Sequence, residues 1–487
     1  MVARVKRDIH PSSLIQRIIV SACAIACMCA SGTGLEGKTV RPLFVQVHRT
    51  SHLEDMPIES LRRILCGGVI QLRAGYGKAK AAHIAVDSRI ASSLRRVYPN
   101  CTFSETEPAD DSLTTERRIL YISDSRGLKP SFKLLPINKT LPWGRIQNDG
   151  SIQKGGDYPF FLEGAEAWDE EEHVCVVQTG VTAMTRAFIP AVDRFGDILS
   201  PIRDVRGITA GADLSLTSNE VSFLESCSYP LRNNMVFCTP LRFFRILKEA
   251  GFDVIELTGN HNNDFGREAN RSTIRLLKDA GMVYYGGGLN RADAEAVRYV
   301  TIRGTRFAFV GFNECGPPIA WATDDAPGAA RLTKEGFERA VAEASARAEA
   351  VFVAVQWCNE NSPRPDPIQI AYFRRAARLG GTVMVSSSAH RPMGIEFYHG
   401  RFISYGLGNF LFDQMQSLNH RRGLIARHHF YRGRHVALEL IPYLIHDYSR
   451  PTLLHGADAR AVMDEVFRYS LGPVFSHTSS AVSSRRP

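Results

Sequence analysis

The string TGNHNNDFG, Thr258 to Gly266, sets a carboxamide, an imidazole and a carboxylate close together at the end of an apolar run, VIEL. Asn260, His261 and Asp264 in that spacing can ligate a divalent metal, or hold a phosphate while His261 donates a proton. The same residues also suit a plainer role, in which Asn260 and Asp264 cap the next helix and His261 packs. Glu220, after Asn219 in TSNE, stands at another strand end, where an unpaired carboxylate would be costly. Glu360 in QWCNEN, His390 in SSSAH and Asn409 in GLGNF occupy equivalent positions. Ser386, Ser387 and Ser388 precede His390, which leaves open a metal-independent amide or peptide hydrolysis by Ser388 and His390. Against it, neighbours on a strand point to alternate faces and no GxSxG elbow is present. His428 and His429, in RHHFYRG, read as a solvated strand face rather than as ligands.

The elements that must position these groups follow one grammar from Val174 onward. Apolar strand-like runs end in short polar clusters, and between them lie amphipathic stretches such as PLRFFRILKEAG, EANRSTIRLLKDAG and KEGFERAVAEASARAEA. In an α/β sheet of that kind ligands bind at the carboxyl ends of the strands, where the clusters fall. Residues 42–175 also alternate strand-like and helix-like segments: PLFVQV, a helix opened by Pro57, HIAVDS, RIASSLRRV and RRILYIS. The stretch from Pro130 to Asp157 is rich in Pro, Gly and Asn and reads as irregular. This half has neither a Gly-rich phosphate loop nor an acid-base pair. Its segments PIESLRRILCGGVIQLRAGYG and DYPFF are similar to pieces of a periplasmic substrate-binding lobe. The acidic run AWDEEE marks a boundary, giving a leader at 1–37, a small α/β domain at 38–172, the site-bearing domain at 173–455, and a C-terminal helix with a disordered tail at 456–487.

A chain of 487 residues with 44% hydrophobic and 22% charged residues can bury substantial cores, which excludes a peptide hormone, a disordered protein and a collagen. The net charge is +9, and the leader contributes to it with Arg4, Lys6, Arg7 and Arg17 against Asp8. No arginine-rich helix or interleaved aromatic-basic run is present, so the charge gives nucleic acid no support. Residues 18–30, IIVSACAIACMCA, are too short to span a bilayer comfortably and suit a secretory signal, cleaved near Ala30 or kept as an anchor. The body is therefore expected in the periplasm or cell envelope. Beyond the leader the cysteine count is odd and too low for a disulfide scaffold. Cys227 and Cys238 are the pair expected to bridge, closing a loop with Pro230 that little else would fix. Two small buried residues are the alternative.

In the order ADLSLTSNE, ELTGNHNNDFG, AVQWCNE, SSSAHRPMGIEFYHG and FISYGLGNFLFDQ, the segment from Thr179 to Tyr448 resembles the CapA capsule-synthesis family, also called the poly-gamma-glutamate biosynthesis proteins. That family is similar to the calcineurin-like metallophosphoesterases. The resemblance implies an α/β fold, a four-layer α/β/β/α sandwich of the metallophosphoesterase type preceded here by a smaller α/β domain, in an exported or membrane-anchored bacterial protein of capsule or exopolymer handling. Asn219 and Glu220 match the family's NLE, with Val221 following. Asn260, His261, Asp264 and Gly266 match its NHxxDxG, Glu360 the glutamate of HWGxE, His390 the last histidine of HPH, and Asn409 the asparagine of SLGNF. Three positions depart from it. Val181 stands where the family has a carboxylate, although Arg186 remains, Gln356 replaces the histidine of HWG, and Ser388 replaces the first histidine of HPH.

A two-metal phosphoesterase centre uses about six carboxylate and imidazole ligands, so what survives would hold a single divalent metal, Mn, Zn or Ca, or none. The roles implied are catalytic for His261, Asp264 and Glu220, substrate-binding for Arg186, Asn219 and Glu360, and metal-binding for Asn260, His390 and Asn409. The expected partners are an anionic polymer or phosphorylated precursor and other capsule-synthesis membrane proteins. The alternative is a non-catalytic polymer-binding or assembly subunit of a capsule export machinery.

Overall fold

The computed structural model describes residues 40–476, apart from 67, 69, 73–79, 100–102, 108–118, 156–157, 164–167, 228–234 and 358–361. The leader, the tail beyond Ser476 and Glu360 thus lie outside the described residues. Among the described residues no helix is long and apolar enough to cross a membrane.

The site-bearing half is a mixed α/β structure built on two large sheets. The seven-stranded sheet runs in the order Val283–Tyr285, Val254–Glu256, Leu214–Ser218, His173–Gln178, Arg422–Tyr431, Arg434–His446 and Arg450–Leu453. Its first four strands are parallel and the last three antiparallel. The six-stranded sheet runs Arg298–Ile302, Thr305–Asn313, Ala350–Gln356, Val383–Ser387, Arg401–Ser404 and Ile395–Tyr398, with four parallel strands flanked by one antiparallel strand at each edge. Strands such as AVFVAVQ are apolar almost throughout because both faces are covered.

One apolar cluster contains residues of both sheets, including Val176, Leu216, Phe307, Phe309 and Phe352. The other faces pack against helices. Helix Arg267–Asp279 buries Ala269, Thr273, Ile274 and Leu277 at three- and four-residue spacing, and helix Lys334–Arg347 does the same with Phe337, Ala340, Val341 and Ala344. Thr333 caps the latter by accepting from Gly336 N, and Asp366 with Gln369 forms a capping box on helix Pro367–Arg378. The helix Gly456–Tyr469 sends Val462, Val466 and Phe467 into the inter-sheet cluster.

The first half carries a five-stranded sheet, Ser104–Thr106, His83–Asp87, Ile119–Ser123, Phe44–His48 and Phe132–Leu135, with helices Ile58–Leu65 and Ser88–Val97 on one face. The expected irregular stretch from Pro130 to Asp157 is instead partly ordered into strands. Phe132–Leu135 pairs with Phe44–His48, and Thr140–Leu141, Gly144–Ile146 and Ile152–Gln153 form a small sheet. Asn138 and Lys139, at φ of 53° and 60°, make the left-handed turn that the Asn signals without fixing strand limits.

The other face of the five-stranded sheet meets Arg422–Tyr431 and Arg434–His446 through Phe44, Trp143, Tyr431, Val436 and Ala437. Here a second expectation fails. His428 and His429 are fully buried, not solvated. His428 packs edge-on to Phe352 in the inter-sheet core, while His429 stacks on Trp143 at 4.5 Å and faces His173 Nε2 at 3.0 Å. Both faces of this strand are covered, so alternation carried no sign of which side was wet. The Cys227–Cys238 disulfide is formed, with Cα atoms 5.7 Å apart. Cys315 is also disulfide-bonded, whereas Cys66 and Cys175 are free thiols.

Candidate functional site

Parallel strands of both sheets end on the same side, and the polar clusters that follow them converge there. After Val254–Glu256 the chain turns through Gly259. A Cβ at that position would meet Glu220 Cα at 2.6 Å, so the glycine permits the two strand ends to approach. Gly266, at φ 88°, ends the turn and starts helix Arg267–Asp279. Within the turn Asn262 and Asn263 do structural work. Asn262 Nδ2 donates to the Asn219 and Gly259 carbonyls, and Asn263 Nδ2 donates to those of Ile319 and Pro327.

Asn260 and His261 remain for the site. The amide nitrogen of Gln356 donates to Glu220 Oε1 at 3.0 Å and to Asn260 Oδ1 at 2.7 Å, tying three strand ends together. His261 Nδ1 lies 2.7 Å from Asp264 Oδ2, which also accepts from Phe237 N at 2.8 Å. The His261 ring packs 4.4 Å from that of Phe237. Asp264 is thus a positioning group for His261 and not a cap of the helix, whose N-cap has no side-chain bond.

His390 Nδ1 pairs with Asn409 Oδ1 at 2.8 Å, and Asn409 Nδ2 donates to the carbonyls of His390 and His420 and to Gln414 Oε1. Asn409 is therefore saturated. Burial, reinforced by His420, His261 and Arg186, outweighs the Asn409 bond and pulls His390 down to about 4, so it is neutral at pH 7. Its Nδ1 is committed to Asn409 rather than to a serine. Ser388 takes φ 66° and Arg186 takes φ 51°, two left-handed non-glycine residues at one site.

The Arg186 guanidinium is held by Asp413, with Nε to Oδ1 at 3.1 Å, and the same carboxylate accepts from Ala187 N at 2.8 Å. Arg186 also lies over Phe237 at 4.6 Å and Phe412 at 5.2 Å. Asn219 Nδ2 donates to Val221 O, while its Oδ1 is buried with no hydrogen-bond partner among the described residues. Val181 fills the place of a carboxylate with an apolar cluster of Ala183, Val221, Phe237 and Phe412.

Two residues were missed by sequence reasoning. Asp413 lay unweighed in the string FLFDQ. Glu256, inside the run VIEL, is a buried carboxyl accepting from the backbone and hydroxyl of Thr258, and burial pushes its pKa up. An acid inside an otherwise apolar strand was the available signal for it.

A divalent ion among Glu220, Asn260 and residue 356 would meet the Gln356 amide N–H groups where a lone pair is required. Among the described residues no group of three or more His, Cys, Asp or Glu is arranged to hold a metal. The described residues, as arranged, do not fit a metal centre.

Residues 175–414 match the family model described as bacterial capsule synthesis protein PGA_cap. The chain is 28% identical over 222 residues to the capsule biosynthesis protein CapA of Bacillus anthracis, covering 45% of this chain and 54% of that protein. It is 27% identical over 204 residues to the PGA biosynthesis protein CapA of Bacillus subtilis, covering 42% and 53%. The chain thus spans about half the length of the curated relatives it matches. Among solved structures, the 5'-nucleotidase precursor of Thermus thermophilus aligns with a TM-score of 0.33 at 13% identity, covering 64% of this chain and 60% of that one. The segment 175–414, which carries the strand-end cluster, belongs to the bacterial capsule synthesis (PGA_cap) family.

Proposed function

We propose that the chain is a cell-envelope component of bacterial capsule or poly-gamma-glutamate-type polymer biosynthesis, in which the strand-end cluster binds an anionic or phosphorylated polymer precursor without metal-dependent turnover. The fold inference that accompanies it is a four-layer α/β/β/α sandwich of the metallophosphoesterase type, supported by the core shared between the sheets and the helices on their outer faces. The observation that carries the functional reading is Gln356, whose amide nitrogen spans Glu220 and Asn260 at 3.0 and 2.7 Å. A metallohydrolase needs those oxygens for a cation, and here a neutral donor engages them. Arg186 and His261, each 15% exposed in its side chain, are the groups that would meet the anion. Other capsule-synthesis membrane proteins are the partners this reading implies, and nucleic acid is not among them.

A second reading, a hydrolase with His261 as general acid, is favoured by the 2.7 Å pairing of His261 with Asp264. The deciding experiment measures metal content and poly-gamma-glutamate binding on the purified full chain after incubation with manganese, zinc and calcium. Saturable binding with neither hydrolysis nor stoichiometric metal is expected. About one tightly held ion per chain, lost in His261→Ala and Asp264→Ala and accompanied by hydrolysis, would overturn the proposal in favour of the enzyme.

A further inference from the structure

A cavity of about 490 Å³ lies away from the strand-end cluster, where the five-stranded sheet meets strands Arg422–Tyr431 and Arg434–His446 beside helix Gly456–Tyr469. That volume falls within the roughly 300–1,000 Å³ typical of small-molecule sites, which favour such junctions between substructures. Its wall is partly apolar, with Trp143, Met463 and Phe467, and it carries several charged groups.

Most of those charges are already matched. Glu439 pairs with Arg427 at 3.2 Å and His429 at 2.7 Å, Lys133 with Glu54 at 3.0 Å, and Asp464 faces His52 at 3.7 Å. Asp55 accepts from Lys139 N at 2.8 Å. Arg49 differs. It is only 5% exposed, and among the described residues no carboxylate lies within ion-pairing distance of it. Its terminal nitrogens donate to the backbone carbonyls of Leu438, Pro130 and Phe132, and its guanidinium lies over the Phe397 ring at 5.6 Å. Burial pulls its pKa down to about 9 although Glu439 opposes this, so a charged Arg49 is held at a cost. Arg49 and Trp143 both line the cavity, and their Nε and Nε1 atoms, which have no partner among the described residues, are buried behind the wall rather than open to it. A buried cation on a cavity wall, with no carboxylate among the described residues at ion-pairing distance, calls for an acceptor that brings negative charge.

We propose that this cavity binds a small organic anion, a carboxylate or phosphate on a compact apolar body, with its headgroup at Arg49 and its body against Trp143, Met463 and Phe467. This inference stands apart from the reading of the strand-end cluster. Calorimetric titration of the full chain with octanoate, phenyl phosphate, inorganic phosphate and octylamine tests it. Octanoate or phenyl phosphate should bind saturably, the tighter of the two naming the headgroup, and octylamine should not bind. Preference for inorganic phosphate over both organic anions would overturn the apolar half of the assignment. Arg49→Met should weaken the better ligand at least tenfold. Trp143→Phe shortens the apolar wall against which the ligand body lies, so it should weaken binding severalfold, and it serves alone if Arg49→Met does not fold. His261→Ala, in the other site, should leave this binding unchanged while abolishing any poly-gamma-glutamate binding there. The assignment is overturned by failure of all three anions to bind, by equal binding of octylamine, or by unchanged affinity in the folded Arg49 or Trp143 variants.

Discussion

Acid should reach the strand-end cluster through His390. Burial holds its pKa near 4, against about 6.5 in an unfolded chain, so the unfolded state binds the proton more tightly. The stability it contributes is complete above pH 6.5 and is lost as the pH falls toward 4. For that shift the loss is about 2 kcal/mol at pH 5 and about 3 kcal/mol at pH 4. Burial also lowers His173, His428, His429 and His435, so the wild-type slope alone does not isolate His390. His390→Gln cannot titrate in this window and retains a group able to bond Asn409. Urea unfolding of both proteins at pH 7, 6 and 5 cancels the fixed cost of the substitution. The variant should lose about 2 kcal/mol less than wild type between pH 7 and pH 5. Parallel curves would refute the reasoning, because they would mean that His390 titrates at an ordinary pKa and is not desolvated.

Gln356→His should raise manganese or zinc uptake above that of the wild type, read as metal per chain after desalting; equal uptake would show that the amide does not govern ion binding. Val181→Asp places a carboxylate among Val221, Phe237 and Phe412 and should cost more than ~3 kcal/mol by urea unfolding, whereas a change below ~1 kcal/mol would mean that the cluster is wet. Replacing both Cys227 and Cys238 by Ala opens a loop of sequence separation 11 and should cost about 3 kcal/mol, measured the same way. Because that loop runs into Phe237, whose N–H holds Asp264, the same double variant should also alter the His261 imidazole signal in an NMR pH titration.

The strand-end logic was legible because parallel strands of a two-sided sheet must be apolar, which leaves any polar residue after them conspicuous. Asn260, His261, Glu220, His390 and Asn409 were singled out that way. What each does was less legible, since hydrogen-bond direction depends on partners far along the chain. Asn219 and Asn260 look alike in sequence, yet one donates to Val221 and the other accepts from Gln356. Gln356 stood out as a departure from the family pattern, but its bridge to residues 136 and 96 positions away could not be read from spacing. Arg186 stood out as a cation, and only the fold supplied Asp413 to pair with it. The buried histidines escaped for a related reason. The run RHHFY alternates nothing when one face meets Phe352 and the other Trp143.

The order of strands in the seven-stranded sheet has a consequence for how the chain is made. Arg422–Tyr431 lies between His173–Gln178 and Arg434–His446, so a strand formed early in synthesis waits for one that emerges about 250 residues later. Until then His173–Gln178 presents an unpaired edge, and Arg186 lacks Asp413, 227 residues away. A nascent or truncated chain ending before Arg422 therefore carries both an open sheet edge and an unfinished site. Aggregation of such fragments, and dependence on whatever shields that edge during synthesis, follow from the topology alone.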